Sequence, residues 1–459
     1  MTAMTTLRER FRGEVIEPAD EGYDAARRVY NAMIDRRPAA VVRCADAADV
    51  RAGIEAAREA GLDVAVRGGG HSVPGYGTAD DAIVLDLSAM KGVRVDPQRR
   101  TARAEGGATW GDLDHAAHGF GLATTGGVIS TTGVAGLTLG GGIGHLARHY
   151  GLSCDNLRSA DVVTADGRLI TASEDEHPDL FWALRGGGGN FGVVTSLEFD
   201  LHPVGMVYAG PIFYPLEHAA HVLEFYDDYI AKASEELGAF FMFQIAPPLP
   251  FIPAERHGET MCAIVTCWSG PLEEGEPALA PLFEEAGPVV AHHAEPMPYP
   301  ALNSAFDGLL PPGLQHYWKA AFVSDLPAAA IDAHVEHGAR LPCVQSTMHL
   351  YPIDGAVDRV APDSTAFAHR DARYAAVIAG MWPDPADNEA NTDWVRRYWE
   401  AIRPHSEEGG YVNFMAGDDH DRVRANYAGN YDRLAAVKAA YDPENTFRLN
   451  QNITPASAS

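Results

Sequence analysis

The sequence predicts an α+β protein built from two parts, on three observations. Over residues 41–205, short strands alternate with helices and with three glycine-rich loops. From Val207 to about Pro404 such loops disappear, and strand-like runs alternate with amphipathic helices. From Tyr411 the chain turns helical again and closes on Phe447 to Ile453. At 459 residues it exceeds one ordinary core, so more than one domain is expected.

Val41 to Cys44 reads as a strand, and Val50, Ile54 and Ala57 then recur at helical spacing until Gly61 ends the helix. Asp63 to Arg67 is a strand that delivers Gly68-Gly69-Gly70-His71-Ser72. Three glycines in a row expose backbone N–H groups that an anion such as a pyrophosphate can approach, with an imidazole beside them. Ala82 to Leu87, Val93 to Asp96 and Thr101 to Glu105 are further strands. Thr109-Trp110-Gly111-Asp112 has the form of a capping box opening a helix to about Gly119.

Gly126 to Gly144 is so rich in glycine and threonine that no regular amphipathic element is expected there, and close approach of a large flat ligand is a sufficient reason. Ala160 to Thr164 and Arg168 to Thr171 flank an Asp166-Gly167 turn and predict a hairpin. Leu180 to Arg185 leads into a third loop, Gly186 to Asn190, and a strand over Phe191 to Phe199. In the middle region strands are expected near 207–214, 239–246, 260–268, 288–293, 315–322, 345–351 and 373–382, with helices at 217–234 and 387–402. Those seven strands fit an open, mostly antiparallel sheet with helices on one face. In the tail a helix is expected over 427–441.

Acidic residues number 63 against 35 basic ones, a net charge of −28, and a surface this acidic argues against nucleic acid as a partner. No apolar run reaches membrane-spanning length, and Met1 to Arg8 lacks the apolar core and cleavage site of a leader, so a cytoplasmic protein is expected. The five cysteines, without CxxC spacing, predict neither a disulfide framework nor structural zinc, and no metal site is expected.

Gly140 to Gly144 is not a dinucleotide fingerprint: no strand precedes it, and Asp161 begins rather than ends one. HExxH and GxSxG patterns are absent. Asp418 to Asp421 and His292 to Glu295 read as solvated surface. His71 alone could serve a turn and Cys154 alone could be a small buried hydrophobe, but with three glycine loops both point toward one flat ligand.

VRGGGHS, TTGVAGLTLGGGIG, YGLSCDN, LFWALRGGGGNFGVVT and YDPENTFRLNQNI together resemble the berberine-bridge-enzyme-like oxidases of the vanillyl-alcohol-oxidase/PCMH flavoprotein superfamily, over about 38–205 and 411–453. The resemblance implies a PCMH-type FAD-binding domain of two α+β subdomains, 1–205 with 411–459, and a substrate domain, 206–410, whose sheet roofs the flavin. It implies covalent FAD, bonded at C8 methyl by His71 and at C6 by Cys154. Further cofactor contacts are expected from Arg67, Gly68, Gly69, Gly70, Ser72, Val128, Thr132, Gly133, Gly136, Gly141, Gly142, Gly144, Leu152, Asn156, Gly192, Val194, Asn413, Asn450 and Gln451.

The reaction implied is hydride removal from an alcohol carbon of a bulky oligosaccharide or secondary metabolite to flavin N5, with a base taking the companion proton. Val128 resembles a small oxygen gatekeeper, implying reoxidation by O2 to hydrogen peroxide. Tyr411 resembles the tyrosine that relatives place near N5, with Tyr76 and Asp354 as further candidates for the base; the strand from Tyr374 to Met381 carries no carboxylate. Amine oxidation like that of 6-hydroxynicotine oxidase, and flavin binding without turnover, are the alternatives. The expected partners are a small-molecule substrate and O2, with a monomer or homodimer as the assembly.

Overall fold

In the computed structural model, residue 8 and residues 11–457 are described; the segment Met1 to Leu7, read above for a leader, lies outside them. The first sheet has the order β1-β2-β4-β3, from β1 (Glu14–Ile16), β2 (Ala40–Arg43), β3 (Val64–Arg67) and β4 (Ile83–Asp86). β2 and β3 both run parallel to β4, and the crossover is the helix Ala47–Ala60, capped by the Asp46 carboxylate and ended by Gly61 at φ 67°. The second sheet is antiparallel, ordered β5-β6-β9-β7-β8, from β5 (Val93–Asp96), β6 (Thr101–Glu105), β7 (Leu157–Val163), β8 (Leu169–Ser173) and β9 (Val193–Asp200). Thr109 and Asp112 form the reciprocal capping box at the start of helix Trp110–His118.

β9 runs almost directly into the third sheet. Its strands are β10 (Met206–Pro215), β11 (Leu237–Ile245), β12 (Thr260–Trp268), β13 (Ala291–His292), β14 (Glu295–Pro298), β15 (Gln315–Val323), β16 (Thr347–Pro352) and β17 (Tyr374–Trp382). All pairings are antiparallel, in the order β13-β10-β12-β11-β16-β17-β15, with β14 also on β10. The seven expected positions are therefore present, and the strand expected at 288–293 is two short segments sharing one edge. Pro296 and Pro298 lack the N–H that a longer ladder needs, and an edge strand tolerates them.

Residues alternate across this sheet with period two. Phe241, Phe243, Ile264, Met348, Leu350, Ala376 and Ile378 join a core with residues of helices Ala219–Ile230, Leu272–Glu284, Ala328–Gly338 and Asn388–Ile402. The intervening residues, among them Met242, Val377, Ala379, Met381 and Tyr351, face the other way, toward the glycine loops.

Three expectations are corrected. Gly126 to Gly144 does contain a regular element, the helix Val134–Leu139, because Val134, Ala135, Thr138 and Leu139 are buried. The tail helix is broken by a turn at Ala428–Asn430 and is regular only over Tyr431–Tyr441. The acidic run at Asp418 is not wholly solvated: Asp419 is buried, and Lys319 Nζ lies 2.9 Å from Asp419 Oδ1 and 2.8 Å from Asp418 Oδ1. The surrounding carboxylates hold the Lys319 pKa up against its burial.

The tail is anchored in the first half of the chain. Lys438 Nζ, fully buried, donates to Asp442 Oδ2 (2.6 Å), Asn190 O (2.7 Å) and Phe447 O (3.0 Å), and Ile453 N donates to Asn190 Oδ1 (2.9 Å). Between the second and third sheets, the Arg370 guanidinium forks onto Asp155 at 2.6 and 3.0 Å with both side chains buried.

Candidate active site

The three glycine loops, the Asn450-Gln451 segment and the inner face of the third sheet surround a cavity of about 340 Å³. Its lining includes Gly68 to Ser72 at the end of β3, Gly127 to Ile129, Thr132 to Gly136 and Gly188 to Val194 in part. The loops are locked to each other. A Cβ on Gly69 would stand 2.4 Å from Gly133 N and one on Gly133 2.5 Å from Gly69 N, so the two backbones touch and neither residue can be larger. Gly136 and Gly189 differ, since a Cβ there would meet nothing within 4 Å; both residues line the cavity.

His71 lies at the cavity wall, its ring stacked on Tyr30 with centroids 3.8 Å apart. Nε2 is 3.0 Å from Thr131 Oγ1 and Nδ1 is 3.4 Å from Thr132 Oγ1. Burial lowers its pKa to about 4, which keeps the ring neutral at physiological pH with a lone pair on one nitrogen. Arg67 also borders the cavity, but its guanidinium is taken by Asp86 Oδ2 (2.8 Å) and the carbonyls of Ala26 and Arg28.

Several expected residues do border the cavity: Ser72, Val128, Gly192, Val194, Asn413, Asn450, Gln451 and Tyr76. Among them, Gln451 Oε1 and Nε2, Asn450 Oδ1 and Tyr76 Oη are buried without a protein partner. Buried amides are normally paired, so these atoms fit a polar ligand lying against the loops.

Others stand elsewhere. Gly141, Gly142, Gly144, Leu152 and Asn156 are not in the lining but build the turn behind it: Ser153 N donates to Gly142 O, Cys154 N to Gly141 O, and Asn156 Nδ2 to Leu152 O. Cys154 is fully buried among Leu152, Ile143, Phe367 and Tyr411, its thiol pushed up in pKa by that burial. Unlike His71 it is not among the cavity-lining residues, and its burial favours the protonated thiol.

The three expected bases stand in different places. Tyr411 Oη accepts from Gly142 N (2.8 Å), Ile143 N (3.4 Å) and Asn413 Nδ2 (2.7 Å), and the residue is 1% exposed and off the cavity lining. Its oxygen is occupied in holding the glycine turn. Asp354 is clamped by Arg148, at 2.6 Å from Nε and 2.9 Å from Nη2, and likewise does not reach the cavity. Of the three, Tyr76 alone lines it.

Sequence reasoning missed the sheet side of the cavity. Gln244 of β11, His316 and Trp318 of β15, and Thr347, His349 and Tyr351 of β16 all line it. His349 lies opposite Met242 and Val377, while Trp318 and Thr347 flank Ala379, so small β17 residues leave a recess between larger ones. The signal was present in two short runs: His316 and Trp318, and Thr347, His349 and Tyr351, put polar or aromatic groups at every second position.

Among the described residues, no group of side chains forms a metal site and no helix is long and apolar enough to cross a membrane. Residues 38–173 match the family described as FAD binding domain, and residues 410–454 the family described as berberine and berberine like. The chain is 33% identical to (R)-6-hydroxynicotine oxidase of Paenarthrobacter nicotinovorans, over 97% of each chain. It is 31% identical to the uncharacterized FAD-linked oxidoreductase YgaK of Bacillus subtilis, over 97% of this chain and 98% of that one. The crystal structure of 6-hydroxy-D-nicotine oxidase from Arthrobacter nicotinovorans superposes with a TM-score of 0.87 at 31% identity, covering 97% of this chain and 98% of that one.

Proposed function

The chain belongs to the berberine and berberine-like family of FAD-linked oxidoreductases, and from that premise we propose that it oxidises an alcohol carbon of a bulky small molecule, with FAD tethered through His71. The observation that carries this reading is the two-sided cavity, with glycine backbone, His71, the unpaired Asn450 Oδ1 and the unpaired Gln451 amide on one side and the sheet on the other. FAD bound there would supply two-electron acceptance. The chain's own residues do the rest: Gly68 to Gly70 admit a pyrophosphate to within backbone contact, Asn450 and Gln451 satisfy polar edges, and neutral His71 offers its lone pair for the tether.

The division into a cofactor part, 1–205 with 411–459, and a substrate part, 206–410, is included in the proposal and is supported by sheet membership. So are reoxidation by O2 with peroxide release, for which Val128 on the cavity wall is the support, and action as a monomer or homodimer. A single tether is proposed because Cys154, unlike His71, is fully buried and not among the residues that line the cavity.

Acid precipitation of the purified protein should leave the yellow colour on the polypeptide, and digestion should find flavin mass on the His71 peptide with none on the Cys154 peptide. His71→Ala should release the flavin into the supernatant. Free flavin from the unaltered protein would overturn the tether, and flavin on the Cys154 peptide would restore the double link.

A further inference from the structure

Among the described residues, the lining contains no Asp, Glu or Lys side chain, in a chain that carries 63 acidic residues. Its one cation, Arg67, is spent on Asp86 and two backbone carbonyls. An ionised group on the sheet side, away from the Gly68 to Gly70 backbone, would lose its hydration without meeting an opposite charge.

What the sheet side offers instead is hydrogen-bond donors. Trp318 Nε1–H is buried with no protein partner, and an indole nitrogen can only donate. Tyr351 Oη lies 2.6 Å from His349 Nδ1, a bond either atom can donate; in the tautomer with the tyrosine hydroxyl donating, the other nitrogen, Nε2, carries the hydrogen, and it too is buried and unpartnered. His316, 5.8 Å from Trp318 by ring centroids, has both ring nitrogens free. Burial lowers His316 and His349 to about 3, so neither ring brings a positive charge to an anion. Met242, Phe306, Leu309 and Leu310 add apolar surface beside the polar Gln244, Gln345 and Thr347.

Resting on the reading of this cavity as the substrate site of an FAD-linked oxidoreductase, we propose that the substrate is an uncharged, largely apolar molecule with two or more oxygen acceptors, gripped by Trp318 Nε1–H and His349 Nε2–H. Hydroxyl, carbonyl or ether oxygens serve this geometry, whereas an ammonium, carboxylate or phosphate group of the substrate, placed on the sheet side, would be desolvated there with no counter-charge.

The test is calorimetric binding to the flavin-loaded enzyme under nitrogen, with one methoxynaphthalene ring bearing a hydroxymethyl, a carboxylate or an aminomethyl group. The alcohol should bind at least about tenfold more tightly than either ion, with an affinity that is flat from about pH 6 to 9 because both imidazoles stay neutral. Trp318→Phe and His349→Phe should each weaken the alcohol by about two- to tenfold, the worth of one neutral hydrogen bond, at unchanged melting temperature. An ion that binds as well as the alcohol, or both variants binding it undiminished, overturns the proposal. Flavin absorbance of the same samples reports separately on the family-level reading.

Discussion

At the scale of single residues, three buried groups set most of what mutation can test. Lys438 and Asp442 are paired with no exposure at all. Asp442→Ala strands the ammonium against two carbonyls and should cost about 3–5 kcal/mol, read by chemical denaturation; a loss below 1 kcal/mol, roughly the value of a surface pair, would contradict the burial. Tyr411→Phe leaves the Gly142 N–H without its acceptor and should cost about 1–3 kcal/mol, while stopped-flow flavin reduction stays within about threefold of the unaltered enzyme. A large drop in reduction rate at unchanged stability would return the tyrosine to the role of base. Asp114 is the pH-sensitive residue: burial raises its carboxyl to about 7 against the pull of the Asn303 amide, 2.6 Å from Oδ2. Its folded pKa lies above its unfolded one near about 3.9, so the native state binds the proton more tightly. Its contribution is therefore whole below about pH 4 and is lost as pH rises to about 7. Melting temperatures of Asp114→Asn should fall less over that range than those of the parent, and parallel curves would refute the shift.

At the scale of elements, the helix Val134–Leu139 separates folding from cofactor binding. Gly136 sits in it with open cavity in front of it, so Gly136→Leu removes a poor helix former and fills ligand space. The apoprotein should be as stable or gain up to about 1 kcal/mol, while bound FAD in the purified protein falls steeply. Retained flavin would show that the ligand does not pass this helix. The elements were largely legible beforehand, because β16 and β17 each alternate between a helix-packed face and a cavity face, and period two survives in the sequence. The glycine loops were legible for a different reason: residues such as Gly69 and Gly133 are fixed by backbone contact, which permits no substitute. The donor wall was not legible as a unit, since Gln244, Trp318 and His349 come from three strands whose neighbours are set by the strand order β11-β16-β17-β15. The surroundings of Tyr411 and Asp354 were not legible for the same reason, as sequence does not show that Gly142 and Arg148 hydrogen-bond them.

At the scale of the whole molecule, the charge is segregated: a net −28 on a chain whose cavity lining carries no acidic side chain. The two sides of that cavity are held in register by the Arg370–Asp155 fork, which is buried at both ends. Arg370→Met should therefore destabilise by about 3–5 kcal/mol and lower flavin retention together, measured by melting and absorbance on one sample. Loss of stability with full retention would show that the fork does not govern the cavity. The anchoring of Lys438, Asn190 and Ile453 has a consequence in time rather than space. A ribosome making about 5–20 residues per second needs on the order of 10–50 s to pass from the Gly186 to Asn190 loop to Gln451. Throughout that interval the nascent chain carries its flavin-facing loops without the segment that closes them. Loading of the cofactor therefore belongs after release, and stalled chains ending near residue 430 should emerge colourless.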